Sequence, residues 1–160
     1  MSRFIEQVTI REARSYEIGQ LAELEWRWVA ASRPTEELPP LYEYINATNA
    51  WARDNTATHI PFVAVRRQTV VGMTWLAISS RMPDPVRGAR SSGELQSSYV
   101  LPNHRGCGIG RRLSRAALAR AAELGLEHVT VRSPWESRTM YERAGFRHDF
   151  DVLSTDGSVA

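Results

Sequence analysis

Seven residues between a predicted strand and a predicted helix carry glycine at every second position: Arg105, Gly106, Cys107, Gly108, Ile109, Gly110 and Arg111. Glycine permits backbone dihedrals and a close approach that a side chain would prevent. A helix N-terminus exposes unpaired N–H groups and a partial positive charge, which suit a phosphate or a diphosphate. Because Arg105, Arg111 and Arg112 add full charges, the segment predicts an anion site. A tight turn that merely begins a helix has the same pattern.

Two other glycine-rich phosphate loops do not fit this segment. A P-loop requires lysine, and every basic residue of this chain is arginine, so lysine-nucleophile and Schiff-base chemistry are excluded as well. A dinucleotide fingerprint requires GxGxxG, whereas the spacing here is GxGxG. The pattern that does fit has arginine or glutamine, then glycine three residues later, then glycine or alanine two residues after that. Arg105, Gly108 and Gly110 match it.

Two motifs at a characteristic separation carry a family resemblance. VLPNHRGCGIGRRL begins at Val100, and MYERAGF begins at Met140. The chain resembles the GNAT superfamily of acyl-coenzyme A-dependent N-acyltransferases over residues 60 to 150, whereas the first sixty residues match only in their helix–helix layout. The resemblance implies an N-acetyltransferase that moves an acetyl group from acetyl-coenzyme A (acetyl-CoA) to a primary amine by direct attack in a ternary complex, with no metal.

The resemblance also implies where the donor binds. The strand before the glycine turn splays from its neighbour, and the pantetheine arm hydrogen-bonds to its backbone like an added strand. The matching residues are Ser98, Tyr99 and Val100, and the N–H of Val100 would polarise the thioester carbonyl. The turn from Arg105 to Arg111 would hold the diphosphate with its main-chain amides.

Two side chains are implied as catalytic. Tyr141 matches the tyrosine that protonates the departing thiolate. The alternative interpretation is that it is one aromatic of a packed helix face, beside Met140 and Phe146. Glu94, six residues before Val100, matches the glutamate that serves as general base in the histone-acetylating branch. Its alternative is a surface glutamate at the end of a serine-rich loop.

Other reactive side chains are discounted. A helix N-terminus lowers the pKa of a thiol, but Cys107 and His104 both lie in the turn that would face the diphosphate. His59, His128 and His148 are scattered without metal-ligand spacing. We therefore expect neither covalent catalysis nor a metal site.

The acceptor region is the least informative part of the chain. The first two helices and their link carry aromatic residues and carboxylates that suit a cationic amine: Trp26, Trp28, Tyr42, Tyr44, Trp51, Glu36, Glu37 and Glu43. Many family members have asparagine where this chain has Pro134. A final hairpin strand often walls the acceptor site, and only Ser158, Val159 and Ala160 follow Gly157, so the wall is either missing or supplied by a second subunit of a homodimer.

Periodicity and turn residues predict the elements that must position these side chains. The expected strands are Val8–Glu12, Phe62–Val65, Val70–Ser79, Glu94–Leu101, His128–Arg132 and Phe146–Leu153. The expected helices run from an N-cap at Ser15 to Ser32, and over Leu41–Arg53, Gly108–Leu124 and Glu136–Ala144, with a mobile loop at Met82–Gly93. The fold class is α/β with a mixed sheet: a GNAT-type sheet of about six to seven strands with a splayed pair, about four flanking helices, and parallel pairing around the Gly108 helix.

Length and composition set outer bounds. A chain of 160 residues with 42% hydrophobic and 24% charged residues predicts a single domain over its whole length. No apolar run is long enough to cross a bilayer, the N-terminus lacks the apolar core of a secretory signal, and one cysteine favours a reducing cytoplasm.

Three further functions stay open from the residues alone. Pro134 and the short C-terminus favour a coenzyme A-binding module without turnover. The same chemistry could use another acyl donor. The five arginines between Arg105 and Arg120 could hold nucleic acid, with a salt-dependent affinity that coenzyme A does not displace. We expect an amine acceptor and neither a nucleic acid nor a membrane partner.

Overall fold

Five strands form one mixed sheet in the computed structural model, which describes residues 7–157. The strands are β1 (Thr9–Glu12), β2 (His59–Arg66), β3 (Thr69–Asp84), β4 (Gly88–Val100) and β5 (Val129–Val131), and they lie side by side in chain order. The helices are α1 (Ile18–Ser32), α2 (Leu41–Asp54), α3 (Ile109–Glu123) and α4 (Arg138–Ala144). Short 3₁₀ turns occupy Ser15–Glu17, Pro102–His104 and Trp135–Ser137.

The pairing of the last two strands determines the shape of the sheet. β1 to β4 pair antiparallel, whereas β4 and β5 pair in parallel, as predicted for strands that flank a crossover helix. The parallel pairing covers only three residue pairs, from Gly93 with Val129 to Leu95 with Val131. Beyond Leu95 the two strands separate.

The sheet has a hydrophobic core on each face. Leu76 and Leu95 pack with Leu113 of α3, on one side. Met73 packs with Leu21 of α1 on the other side. Alternation along the strands assigns successive side chains to opposite cores, so β3 is apolar along most of its buried length.

The predicted loop at Met82–Gly93 is wrong. β3 and β4 extend as a long hairpin in which Arg81 pairs with Arg90, and the reversal takes only residues 85–87. The Asp84 carboxylate closes it by accepting hydrogen bonds from the backbone N–H groups of Val86 and Arg87 at 2.8 and 3.0 Å. Polar composition was misleading because a ladder of backbone hydrogen bonds continues on a solvated hairpin without apolar side chains.

The predicted strand at Phe146–Leu153 is also wrong, and the sheet has five strands among the described residues instead of six or seven. Phe150 and Leu153 are more than nine-tenths exposed. An alternating pattern makes a strand only where a neighbouring strand supplies backbone partners, and none lies beside this segment within residues 7–157. Residues 158–160, to which the shortened final strand was assigned, lie outside the described residues.

The start of the first helix differs from the prediction too. Ser15 is the first residue of a 3₁₀ turn rather than an N-cap, and Glu17 does the capping. Its buried carboxylate accepts hydrogen bonds from the Arg14 backbone N–H at 2.7 Å and from both terminal nitrogens of Arg11 at 2.8 and 2.7 Å. The Arg11 hydrogen bonds hold the pKa of Glu17 below its ordinary value.

We expect Glu17→Gln to lower the free energy of unfolding by about 2 kcal/mol at pH 7, the scale of a hydrogen bond to a charged group. Because the folded-state pKa of Glu17 is lowered, its contribution is present above the ordinary glutamate pKa and is lost as the pH falls through the lowered value. Denaturant unfolding at pH 7 and pH 3 checks both points. The control is Glu123→Gln, which removes an exposed pair with Arg120 and should change stability by about 0.5 kcal/mol or less. Equal losses in the two variants would contradict the prediction.

Candidate active site

One edge of β4 is open at its C-terminal end. Pairing with β5 stops at Leu95, so residues 96–100 have a neighbouring strand only on the β3 side. The β3–β4 register shifts between Met73 and Trp75, and Ser97 has a φ of 48°, which marks a β-bulge. The bulge and the short parallel pairing together produce the splayed strand pair that the resemblance implied.

The backbone of the predicted binding strand divides between its two edges. The N–H of Leu101 donates to the Val71 carbonyl at 2.9 Å, which assigns Leu101 to the β3 side. Because strand residues alternate in direction, the N–H and C=O groups of Val100 and Ser98 face the open edge, whereas those of Tyr99 face β3. Two of the three predicted residues therefore offer backbone groups to a ligand at this edge.

Tyr141 lies beside the open edge, on α4. Its side chain is buried, packs edge-on against Phe146 at 5.6 Å, and lies beside the Ser98 hydroxyl. Ser98 in turn shares a 2.6 Å hydrogen bond with buried Thr74. Burial raises the pKa of the Tyr141 phenol, so the group stays protonated at neutral pH. The tyrosine is thus a packed aromatic whose phenol keeps its proton next to the open edge of β4.

The glycine turn presents a run of free backbone N–H groups. Gly106 and Gly108 have φ values of 79° and 83°, which residues with a side chain rarely adopt. Among the described residues, no N–H from Gly106 to Arg111 has a hydrogen-bond acceptor. The last three of these belong to the first turn of α3, where Ile109 buries its side chain in the core and Gly110 packs against Met140. Neighbouring N–H donors without acceptors at a helix N-terminus suit an anion.

The arginines around the turn have different positions. The Arg105 guanidinium donates from Nε to the Val100 carbonyl at 2.8 Å and lies over the Tyr99 ring at 5.4 Å. Arg112 donates to the Val8 carbonyl at 2.9 Å. Arg111 is exposed at the start of α3. In this structure the Arg105 side chain therefore binds the backbone at the open edge of β4. Arg111 is the arginine that belongs to the run of free amides itself.

Cys107 and His104 do not form a nucleophile–base pair. The Cys107 thiol is exposed and donates to the His104 carbonyl at 2.9 Å. The His104 ring instead lies 3.4 Å from a terminal nitrogen of Arg66.

Glu94 lies in the middle of the sheet. It is paired with Ala77 on one side and Thr130 on the other, and it is half-buried. One carboxylate oxygen accepts a long hydrogen bond of 3.3 Å from Gln96. Because Leu95 faces α3, alternation directs Glu94 to the opposite face, the one that α1 and α2 cover.

A cavity of about 370 Å³ opens on that same face, between α1, α2 and β3. Its walls are mostly apolar and aromatic, with one carboxylate and one threonine: Leu21, Ala22, Glu25, Tyr44, Ala47, Thr48, Trp51, Met73 and Trp75. Trp51 meets the Trp75 ring edge-on at 5.6 Å and the His59 ring at 4.8 Å.

Glu25 is the site residue that the sequence analysis missed. Its carboxylate lies beside the Ser97 side chain, and its Oε2 is buried without a hydrogen-bond partner among the described residues. Burial raises the pKa of Glu25, against smaller lowering effects of Ser97 and Arg33. The available signal was its position, four residues after Leu21 and three before Trp28, on the apolar stripe of α1.

The acceptor region is partly as predicted. Tyr44 and Trp51 line the cavity. Trp26 instead donates to the Pro39 carbonyl, Trp28 stacks on Tyr99 at 5.3 Å, and Tyr42 is largely exposed. The predicted carboxylates are all exposed on the surface: Glu36, Glu37 and Glu43. The charge in the cavity comes from α1 rather than from the link between the helices.

The described residues near Pro134, where many family members have asparagine, make hydrogen bonds only with their close neighbours in the chain. The Ser133 hydroxyl donates to the Pro134 carbonyl at 2.9 Å. Arg138 is engaged by His148 and Glu142. Within residues 7–157 there is neither a cluster of three or more potential metal ligands nor a helix long and apolar enough to cross a membrane.

Comparisons with known proteins agree with this geometry. The model of the Acetyltransferase (GNAT) family matches residues 18–146. Mycothiol acetyltransferase from Geodermatophilus obscurus is 27% identical over 129 residues, which are 78% of this chain and 36% of that protein. The uncharacterized N-acetyltransferase YjgM of Escherichia coli K12 is 33% identical over 79 residues, 47% of either protein. The chain thus matches only about a third to a half of the length of these curated relatives.

A solved structure supplies the same fold. The crystal structure of a predicted acetyltransferase with acetyl-CoA from Clostridium acetobutylicum has a TM-score of 0.75 at 15% identity, over 94% of this chain and 96% of that one. Since the family match spans most of the chain and the fold agrees with it, the chain belongs to the acetyltransferase (GNAT) family, a family of acyl-transferring enzymes.

Proposed function

We propose that this protein is an N-acetyltransferase that transfers the acetyl group of acetyl-CoA to a primary amine, by direct attack in a ternary complex. The observation that carries the proposal is the run of acceptor-free N–H groups from Gly106 to Arg111, placed next to the open edge of β4. The two features together suit a ligand with a diphosphate at one end and an amide-bearing arm at the other. The Clostridium relative in fold was crystallised with acetyl-CoA, which supports the choice of donor.

The donor would extend along the splayed strand. The diphosphate would accept hydrogen bonds from the amides of the glycine turn, with Arg111 contributing charge and Cys107 and Ile109 contributing only backbone N–H groups. The pantetheine arm would pair with the outward backbone groups of Ser98 and Val100. Because Arg105 now occupies the Val100 carbonyl, its side chain would have to release that group for the arm to pair fully and would then be free to move toward the diphosphate.

The acyl transfer needs one proton donor and one proton acceptor. Tyr141 is proposed as the donor to the sulfur, since its buried phenol is protonated at neutral pH and lies at the strand edge through Ser98. The Val100 N–H, which faces the same edge, would stabilise the negative charge that develops on the thioester oxygen. Glu94 is the proton acceptor that the family resemblance implies, and its half-buried position on the α1–α2 face is compatible with that role.

We expect Gly108→Ala to weaken acetyl-CoA binding by about tenfold, because an added Cβ both strains the left-handed turn and obstructs close approach of the diphosphate. Gly88→Ala is the matched control: Gly88 has a φ of 75° against 83° for Gly108, and an added Cβ meets nothing within 4 Å at either position. Both variants should lose a similar amount of stability, about 1 kcal/mol. Isothermal titration calorimetry with acetyl-CoA separates them. Equal affinities in the two variants would remove the glycine turn from the donor site.

We expect Tyr141→Phe to lower kcat by about a hundredfold while the Kd for acetyl-CoA stays within a factor of two, since the phenol acts on the leaving thiolate and not on the donor's ground state. Free-thiol release with a panel of primary amines measures turnover, and the exposed Tyr42→Phe serves as the control. Wild-type kcat in Tyr141→Phe would reject the assigned acid. Acetyl-CoA binding with no transfer to any amine of the panel would replace the enzyme proposal with a binding module.

A further inference from the structure

The cavity between α1, α2 and β3 has one charged side chain among the described residues that line it, Glu25. We infer that Glu25 binds the ammonium group of the acceptor and removes its proton, and that the acceptor is a monocationic primary amine with an aliphatic or aromatic body and no acidic group. The inference rests on the proposed function and deepens it by assigning the proton acceptor and the substrate class.

The first support is the incomplete hydrogen bonding of Glu25. One carboxylate oxygen meets the Ser97 side chain, but Oε2 is fully shielded and has no partner among the described residues. A buried carboxylate oxygen without a donor is unfavourable for folding, so a native structure that keeps one has a reason other than stability. An ammonium group in the cavity would supply both the missing donor and the missing charge.

The second support is the position of Glu25 relative to the rest of the site. It lies beside Ser97, the bulged residue of β4, and the next residue, Ser98, lies beside Tyr141. The carboxylate reaches this point of the strand from α1, and the phenol reaches it from α4, on the other face of the sheet. A thioester at the open edge would therefore have a proton acceptor on one side and a proton donor on the other.

The third support is the chemistry of the walls. Tyr44, Trp51 and Trp75 offer aromatic faces and edges to a cation and to the carbon skeleton behind it. A volume of about 370 Å³ suits a small molecule or one side chain, not a large polar group. A carboxylate or phosphate on the acceptor would be repelled by Glu25, and no cationic side chain among the described residues lines the cavity to offset it.

Glu25 and Tyr141 together account for every proton that moves in the acyl transfer. Glu25 takes one proton from the ammonium group, the neutral nitrogen forms a C–N bond to the carbonyl carbon, and the C–S bond breaks as Tyr141 protonates the departing sulfur. The nitrogen loses a second proton as the amide forms, which restores the phenol. Glu25 releases its own proton to solvent, so each turnover yields one amide, one free thiol and one proton.

The charged and titratable groups around Glu25 come from α2, β2, β4 and the residue that follows α1. Arg33 follows α1 and favours the carboxylate, whereas burial of the Tyr44 phenol and its proximity to Glu25 raise the pKa of that tyrosine. Glu94 of β4 shares the sheet face, and burial lowers the pKa of His59 on β2, which keeps that ring neutral near pH 7. Since burial raises the pKa of Glu25, the active deprotonated form accumulates only as the pH rises through that raised value, which predicts an acidic limb in the rate profile.

The test compares Glu25→Gln with wild type in the full chain, using acetyl-CoA and a panel of amines. We expect 2-phenylethylamine and hexylamine to be acetylated with kcat/KM at least about tenfold above phenylalanine, whose amine lies beside a carboxylate, and above glucosamine 6-phosphate. Glu25→Gln should lower kcat/KM for the apolar amines by about a hundredfold or more and abolish the acidic limb, with acetyl-CoA affinity unchanged. Glu23→Gln, an exposed glutamate on the same helix, is the matched control and should behave as wild type.

A second readout does not depend on turnover. The carboxylate with a raised pKa lowers stability as the pH rises, so Glu25→Gln should have a higher Tm than wild type at pH 8 and a similar Tm near pH 4. With coenzyme A in place of acetyl-CoA, so that no acetyl group can be transferred, 2-phenylethylamine should raise the Tm of wild type but not that of Glu25→Gln.

The outcomes separate this inference from the proposed function. Suppose that the wild-type protein acetylates amines. If Glu25→Gln then keeps the acidic limb of the rate profile, or if only Glu94→Gln loses it, the role of Glu25 is overturned and the acetyltransferase proposal stands. Preference for acidic acceptors overturns the substrate class. Acetyl-CoA binding with neither turnover nor an amine-dependent rise in Tm overturns both.

Discussion

The unpaired backbone edge of β4 is the constraint on which the rest of the structure depends. Three residue pairs hold β4 to β5, and then the strands part. Backbone N–H and C=O groups left without partners must be satisfied by something other than the sheet. Here Arg105 takes the Val100 carbonyl, and the other outward groups remain available. The glycine turn follows this edge after one short 3₁₀ turn, so the outward backbone groups of the strand and the free amides of the α3 N-terminus lie at the same end of β4.

Because of the bulge at Ser97, this edge of β4 has a carboxylate on one face of the sheet and a phenol on the other. An extra residue in the strand places two neighbouring serines in contact with two different helices, Glu25 of α1 through Ser97 and Tyr141 of α4 through Ser98. Two groups of opposite proton-transfer character, whose positions in the chain are far apart, thereby meet the same point of one strand. Rigid strands position such groups more closely than loops can.

Two glutamates near the N-terminus illustrate how the same side chain takes different roles. Glu17 accepts three hydrogen bonds and pairs with Arg11, so its charge is fully compensated and its pKa is lowered. Glu25, two turns further along, lies beside one serine and has a buried Oε2 without a hydrogen-bond partner among the described residues and a raised pKa. The first stabilises the entry to α1. The second lowers the stability of the apo protein, as expected for a group kept for a ligand.

Features that depend on neighbours in the chain could be predicted from the sequence alone. The glycine turn, the following helix and the parallel return to β5 follow from local spacing, because strand, turn and helix there are consecutive. Tyr141 was indicated by the resemblance of MYERAGF to a family motif. The hairpin over Met82–Gly93, the missing strand at Phe146–Leu153 and the capping by Glu17 could not be read from local composition, since each depends on which backbone or side chain lies alongside. Glu25 shows the difference most clearly: the sequence placed a glutamate on the apolar stripe of a helix, and only the packing of α1 against α2 and β3 decided that its carboxylate would be enclosed, half-satisfied and next to the bulge of β4.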